Sequence, residues 1–523
     1  MKFFLKRKKS LKIFLLLCAI LVLGAAVRFA DIGKDSFWLD EGATALAMKY
    51  HGPFEILKII KDTGQIIPEF YSYNKDLPNA NQELPVYYFL LAFWAKFFGV
   101  SESSLRSLSA LFGCLSLIVI YFLGKEIFGE RVGILCSLMS CVNLTLIAYS
   151  QEARKYMFYL FISLLSIYFL LRFFKSKKNY HLALFIVATL VGIYTHYLFA
   201  FLLIFEALFV LLHEVKEMLK KEKRGIGDIG IRRLGFSFFL FAASYLPLLG
   251  RIFGQKLNNL SYIPRPSLRV FLELFTQFNT WLYPSDTLRA IRDKALHGSL
   301  LSLTPYEFAL SASVILTILT LAIFAIKSAI KIFKDIRLDE RLFLLMWLIV
   351  PIMVSLLTSL VHPSIRTFGG VTYVIYALPA YLMLSSEGIL SMKKKNAAVV
   401  IAVLLIASML PIYAYHSSIK KQQFREAAMF LKERIKSTDS IFFNINTGIT
   451  PFTYYYGKAD YSYAIPNLQR AIDISNGKKS IWIVYALPKY SDPKGEIKKF
   501  FDDNYRMQEE KEFFDIAVYH YSK

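Results

Sequence analysis

Asp40 and Glu41 stand side by side in Asp35-Ser36-Phe37-Trp38-Leu39-Asp40-Glu41, just beyond a first long apolar segment. Charge at a membrane edge is costly and tends to be kept for a reason. A carboxylate placed there can take the proton of an attacking hydroxyl as a general base. Further polar groups fall at the ends of other apolar segments: Arg28; Gln151, Glu152, Arg154 and Tyr156; Tyr194, Thr195, His196 and Tyr197; His362 and Arg366. Group transfer from a lipid-linked phosphate needs such a set, because cations must stabilise the charge that develops on the departing phosphate. Asp40 suits the first task, and Arg154 or Arg366 the second. Taken singly each has a plainer reading. The acidic pair can open a helix, Glu152 and Arg154 can snorkel, and His196 can serve as an interfacial hydrogen-bonding residue. Their joint placement is what favours a site.

The elements that must position these groups are membrane helices. The chain has 523 residues, 55% hydrophobic and 16% aromatic, and apolar runs of about 20 residues recur along it, the length that crosses a bilayer. A net charge of +23 would suggest nucleic acid in a soluble protein. Here the Lys and Arg residues gather in short loops between apolar runs, so the charge records topology. Cys18, Cys114, Cys136 and Cys141 lie in apolar segments without metal-ligand spacing, which disfavours a zinc knuckle or a disulfide framework.

Lys6-Arg7-Lys8-Lys9-Ser10, followed by an apolar run to about Ala30, reads as an uncleaved helix with a cytoplasmic N-terminus. Asp40 and Glu41 are then outside. Leu84 to Phe98 is apolar but makes only roughly 22 Å of helix, short of a ~30 Å hydrocarbon core. It is expected to lie along the outer surface, since counting it as a span would turn Lys175, Lys177, Lys178 and the basic stretch Lys216 to Arg233 outward, against the positive-inside rule. The expected spans are 11–30, 104–123, 132–149, 157–174, 180–196, 197–212, 235–252, 306–326, 342–360, 368–390 and 396–415. The fold class is thus a polytopic α-helical membrane protein of about 11 transmembrane helices, with interfacial helices in the first outer loop. The basic outer loop 253–305 suits either a headgroup-facing role or recognition of an anionic lipid carrier.

Residues 1–415 form the expected membrane domain, and 416–523 a small extracytoplasmic α/β domain. In the latter, Gln422 to Ile435 reads as an amphipathic helix and Ser440 to Asn444, Ile481 to Ala486 and Phe513 to Tyr521 as strands. Tyr454-Tyr455-Tyr456 reads as core. Gly457-Lys458 lacks the flanking residues of a nucleotide P-loop. No nucleotide or ATP is expected, and the chemistry must use an already activated substrate.

Ser36-Phe37-Trp38-Leu39-Asp40-Glu41-Gly42-Ala43, preceded by Arg28, resembles the first-loop signature of the protein O-mannosyltransferase and aminoarabinose-transferase group of the glycosyltransferase C superfamily. Ser150-Gln151-Glu152-Ala153-Arg154-Lys155-Tyr156-Met157 is similar to the second outer-loop signature of its bacterial members. Glu83-Leu84-Pro85-Val86-Tyr87-Tyr88, with Leu105-Arg106 downstream, resembles their interfacial helix and second span. Tyr194-Thr195-His196-Tyr197 and Arg366 upstream of Leu378-Pro379 are similar too. The resemblance covers about residues 20 to 415.

It implies transfer of a hexosyl or pentosyl unit from a polyprenyl-phosphate donor, with inversion, to a lipid, protein or glycan acceptor on the outer face of the cell membrane. By position, Asp40 would be the general base, Glu41 and Glu152 would position acceptor or metal, and Arg154 with Arg366 would hold the carrier phosphate. Arg28, Tyr156, His196 and Tyr197 complete the implied substrate contacts. Some relatives carry a cation or His where this chain has Glu83 and Leu84, and Arg366 is followed by Thr367 and Phe368. Asp40, Glu41, Glu152 and His196 could together supply ligands for a divalent cation, though no local spacing marks a site. Two alternatives stand beside this reading. A lipid-linked glycan polymerase or ligase would tolerate loss of Asp40, and a lipid or sugar transporter would place charges near mid-bilayer in paired halves.

Overall fold

The computed structural model describes residues 2–67, 83–220, 229–254, 265–280, 303–334, 340–361, 367–457 and 462–523. The membrane region opens with α1 (Lys2–Phe29) and continues into three shorter helices, α2 (Leu39–Tyr50), α3 (Pro53–Thr63) and α4 (Pro85–Phe98). Pro53 and Pro85 start α3 and α4, where a missing N–H costs nothing, and Gly64 ends α3 at φ 73°. α5 (Glu102–Phe128) is capped by Ser101, whose hydroxyl accepts from the Ser104 N–H. Then follow α6 (Glu130–Cys141), α7 (Leu144–Ser150), α8 (Tyr156–Ser176), α9 (Asn179–Ile193), α10 (Phe199–Lys220), α11 (Ile229–Gly254), α12 (Leu268–Asn279), α13 (Pro305–Lys334), α14 (Glu340–Val361), α15 (Leu378–Leu390) and α16 (Lys394–Ser417).

Among the described residues, seven helices are long and apolar enough to cross a membrane, or eight if one bent pair is a single span. That differs from the expected eleven in identifiable places. The segment 132–149 is not one straight helix: α6 and α7 meet at 60°, where the Asn143 side chain accepts from the Leu146 N–H and starts a new helix. The segment 368–390 begins with Gly369 at φ 103° and two short 3-10 turns, Val371–Tyr373 and Ile375–Ala377, before α15. α9 has only 15 residues. Small residues let α5 and α6 approach closely, since a Cβ on Gly124 would lie 2.8 Å from the Gly133 Cα and one on Gly133 would lie 2.5 Å from the Tyr121 carbonyl oxygen.

After α16 the chain builds α17 (Phe424–Lys432), β1 (Ser440–Phe443), α18 (Ile449–Tyr456), β2 (Ser462–Ala464), α19 (Leu468–Ser475), β3 (Ser480–Ala486), α20 (Pro488–Ser491), α21 (Glu496–Asn504), β4 (Arg506–Phe513) and β5 (Ile516–Ser522). The sheet order is β2-β1-β3-β5-β4, parallel across the first three strands and antiparallel thereafter. Alternation along the strands feeds two cores. Ile441, Phe443, Trp482 and Val484 pack on one face, and Phe442, Ile481, Ile483 and Tyr485 on the other. The strand expected over Phe513 to Tyr521 is divided by a turn in which Asp515 takes φ 57°. The missed strand β4 is an edge strand carrying Glu509, Glu510, Lys511 and Glu512, a composition that blunts edge pairing and hides the strand from an apolar pattern.

The two regions are packed together rather than tethered. Leu39, the first residue of α2, belongs to the core that also contains Phe424, Phe452 and Trp482. α2 and α18 touch at Gly42, where an added Cβ would come within 2.5 Å of the Pro451 side chain. A branched side chain should therefore force α18 away from α2. Gly42→Val is expected to lower stability by about 1–3 kcal/mol, the usual cost of overpacking, and to speed proteolytic cleavage between residues 416 and 523. Unfolding in detergent and limited proteolysis measure the two effects, and wild-type behaviour in both would refute the close contact.

Candidate active site

α2 begins directly at the acidic pair, which places both carboxylates in its first turn, where the helix dipole favours negative charge. Consecutive helical residues project about 100° apart, so Asp40 and Glu41 diverge.

Glu41 points into the protein and is 0% exposed. The Arg106 guanidinium grips it with both arms, Nε to Oε1 at 2.9 Å and Nη2 to Oε2 at 2.7 Å. The Ala153 N–H donates to Oε1 at 2.7 Å and the Lys421 ammonium to Oε2 at 3.0 Å. Burial alone would raise this carboxyl, but Arg106, Lys421 and the Ala153 N–H hold it at about 2. Both Glu41 oxygens are thus engaged by Arg106, Lys421 and the Ala153 N–H, away from solvent. Arg106 spends its remaining donors on the carbonyls of Ile32 (2.9 Å), Asp35 (2.8 Å) and Ser36 (3.0 Å).

Asp40 points the other way, with 40% of its side chain exposed, and its Oδ2 lies 3.6 Å from Arg154 Nη2. The Arg154 side chain is only 6% exposed. Its Nη2 also meets Glu83 Oε1 at 3.2 Å, and its Nη1 meets the Tyr88 hydroxyl at 3.2 Å. Its Nε, though buried, has no partner among the described residues. Glu83 is shared, because the Lys155 ammonium binds its second oxygen. Burial pulls the Glu83 carboxyl up, and Lys155 and Arg154 bring it down to about 2. Tyr156 lies under the Arg154 guanidinium at 6.0 Å.

Glu152 is buried beside this cluster. Burial pushes its carboxyl up to about 7, with Glu41 and Asp40 adding to the rise and Lys421 and Arg154 opposing it. His196 accepts from the Leu198 N–H at Nδ1 (3.1 Å) and stacks on Tyr159 with centroids 4.7 Å apart. Tyr197 accepts a hydrogen bond from the Tyr245 hydroxyl at its carbonyl, 3.3 Å away. The 194–197 turn is drawn to the start of α4 by the Val86 N–H, which donates to the Tyr194 carbonyl at 3.3 Å.

Arg28 is fully buried and donates to the carbonyls of Ser140 (3.1 Å) and Cys141 (3.1 Å) at the end of α6. In this arrangement it satisfies orphan carbonyls at a helix end. Arg366 and His362, and the loop residues Lys256, Arg289, Arg292 and Lys294, lie outside the described residues. Among the described residues no three His, Cys, Asp or Glu side chains form a metal-binding group. Of the expected donors, Glu41 is taken by cations and His196 is stacked on Tyr159.

Sequence reasoning quoted Glu83, Arg106 and Lys155 within motifs without giving them a role, and passed over Lys421. Lys421 had a usable signal: Lys420 and Lys421 are two cations just past the last apolar segment, on the side expected to be outside, where the charge rule makes them unusual.

Residues 80–228 match the family model of dolichyl-phosphate-mannose-protein mannosyltransferase, a stretch that holds Glu83, Arg106, Glu152 and Arg154. The fold is similar to that of ArnT from Cupriavidus metallidurans in the apo state, with a TM-score of 0.59 at 10% identity over 98% of each chain. The undecaprenyl phosphate complex of that protein gives 0.55 at 10% identity over 97% of each chain. The apo oligosaccharyltransferase of Archaeoglobus fulgidus gives 0.53 at 12% identity, over 91% of this chain and 70% of that one. No curated protein sequence matches this chain.

The buried carboxyls make stability depend on pH with opposite signs. Glu41 and Glu83, ordinarily near 4.5 and held at about 2, contribute stability that is present above their ordinary value and lost as pH falls toward 2. Glu152, raised to about 7, contributes stability that is present below its ordinary value and lost as pH rises through about 7. Unfolding midpoints in detergent should therefore fall on acidification below about pH 5, with a shallower slope in Glu83→Gln, and Glu152→Gln should gain on wild type above about pH 7. Parallel curves for all three proteins would refute the assignment.

Proposed function

We propose that this chain, a polytopic membrane protein of the glycosyltransferase C superfamily by fold, transfers a sugar from a polyprenyl-phosphate donor to an acceptor hydroxyl at the extracytoplasmic membrane surface. The observation that carries the reading is the contrast within the acidic pair. Asp40 is left half-open beside the Arg154 guanidinium at 3.6 Å, while Glu41 is sealed by Arg106 and Lys421. The structural neighbours lend support through their ligands, undecaprenyl phosphate for ArnT and dolichol-phosphate with an inhibitory peptide for the archaeal oligosaccharyltransferase AglB.

In the proposed reaction the acceptor hydroxyl gives its proton to the Asp40 carboxylate as its oxygen attacks the anomeric carbon. The bond from that carbon to the phosphate oxygen breaks, and the phosphate leaves with the electron pair. Arg154 faces the charge that develops, using the unpartnered Nε and the arm now on Glu83. Lys155 keeps Glu83 neutralised when Arg154 changes partner. By resemblance Arg366 is a second phosphate ligand, and Glu152, Tyr156, His196 and Tyr197 line the substrate path. Inversion follows from the single displacement. In this reading the N-terminus is cytoplasmic, the division falls near residue 415, and the tail domain is outside. The acceptor is a lipid, a protein or a growing glycan.

The test is transfer from a panel of radiolabelled polyprenyl-phosphate sugars to a membrane extract, comparing wild type with Asp40→Asn in liposomes. Loss of general-base assistance should slow transfer by roughly 10² to 10⁴ while the folded protein is retained. Equal transfer by the two proteins would remove Asp40 from the chemistry and favour a polymerase or ligase.

A further inference from the structure

Lys421 comes from the segment that follows the last membrane helix, about 380 residues after the carboxylate it binds. Its ammonium is buried and has two partners, Glu41 Oε2 at 3.0 Å and the Gln151 carbonyl at 3.0 Å. Those partners belong to the two segments that carry the proposed chemistry. Glu41 adjoins Asp40 in the first turn of α2, and Gln151 opens the short stretch that runs through Arg154 to the start of α8. Two further links join the segments: the Ala153 N–H donates to Glu41 at 2.7 Å, and Arg154 Nη1 reaches the Asp40 carbonyl and the Thr44 hydroxyl at the longer distance of 3.5 Å. Arg106 binds Glu41 as well, but its other donors go to the Ile32 to Ser36 stretch and not to the Gln151 to Arg154 stretch.

We propose, on the basis of the transfer reaction above, that Lys421 is a positioning residue: a cation delivered with the tail domain that ties the Asp40 segment to the Arg154 segment and so sets their separation. The tail domain is then a working part of the membrane site. Its neighbours at the seam point the same way. Lys420 pairs with Asp35 at 3.1 Å and the Ser36 hydroxyl donates to the Gln422 carbonyl at 2.5 Å, so the linker is laid along the approach to α2. Lys420 contacts neither Asp40 nor the Gln151 to Arg154 stretch, which makes it a control for mere attachment of the tail.

Losing Lys421 leaves Glu41 neutralised by the two arms of Arg106, so the fold should persist while the link between the two segments slackens. A displacement of about 1 Å between reacting groups can cost 10²-fold. Full-length wild type, Lys421→Gln, Lys421→Arg and Lys420→Gln would be compared in nanodiscs by hydrogen exchange and by transfer kinetics. In Lys421→Gln, residues 39–50 and 151–156 should both exchange faster, and kcat should drop roughly 10- to 100-fold with donor KM within about twofold. Lys421→Arg should restore most of kcat, and Lys420→Gln should keep it. Unchanged exchange in either segment overturns the proposal, as does wild-type kcat in Lys421→Gln. Exchange also decides the matter if wild type transfers no sugar at all, a result that would remove the transferase reading and leave the positioning role to stand or fall on the exchange data.

Discussion

The bidentate pair between Glu41 and Arg106 is the constraint on which the end of the membrane region that packs against the tail domain depends. Taking two charges out of water costs several kcal/mol each, and their attraction offsets this only when geometry and the remaining hydrogen bonds are complete. Here they are complete. Arg106 donates to three carbonyls besides the carboxylate, and Glu41 accepts from a backbone N–H and a second cation. Leaving either charge unpaired would cost about 3–5 kcal/mol, so the first-loop turn, α2, α5, the Gln151 to Arg154 stretch and the tail linker are held in one arrangement. An apolar cluster of the same volume would give burial without this directionality.

Helical geometry then divides the labour of the acidic pair. Because α2 starts at Leu39, one carboxylate faces the ion cluster and the next faces outward, and the inner residue anchors the helix that presents the outer one. The same logic applies across the site. Arg154 and Lys155 are adjacent and meet on Glu83, which orients Arg154 toward Asp40 without exhausting its donors. A guanidinium held by carboxylates on two sides and open at Nε is pre-oriented, so little rotamer freedom remains to be lost when an anion binds.

Much of this was legible from local pattern. Apolar length marked each membrane segment as helical, short continuous apolar runs marked β1 and β3 as buried strands, and charge at membrane edges picked out Asp40 and Arg154, which the fold brings to 3.6 Å. What escaped was of two kinds. Pairings across long separations, 65 residues for Arg106 with Glu41 and 380 for Lys421 with Glu41, leave no periodic trace, so Glu41 read as a substrate group. Breaks inside apolar runs were hidden too. The bend at Asn143 depends on one side-chain cap, and the turn at Gly369 on one positive φ, whereas hydropathy averages over both. The carbonyl contacts of Arg28 were hidden for a related reason, since a cation at a helix end looks the same whether it meets a ligand or the carbonyls of α6.

The ionisation pattern also bears on what the site can receive. Arg106, Arg154, Lys155 and Lys421 are interleaved with Glu41, Glu83, Asp40 and Glu152. Burial holds Glu152 largely neutral below about 7, so three carboxylates there face four cations. The excess positive charge lies in a region mostly shielded from solvent, where screening is weak and a unit charge counts for more than at an open surface. In the proposed reaction a donor phosphate would add negative charge beside Glu152 and so favour its neutral carboxyl further. The sealed pair at Glu41 leaves the Arg154 side, next to the exposed carboxylate of Asp40, as the side where positive charge is least matched when Glu152 is neutral.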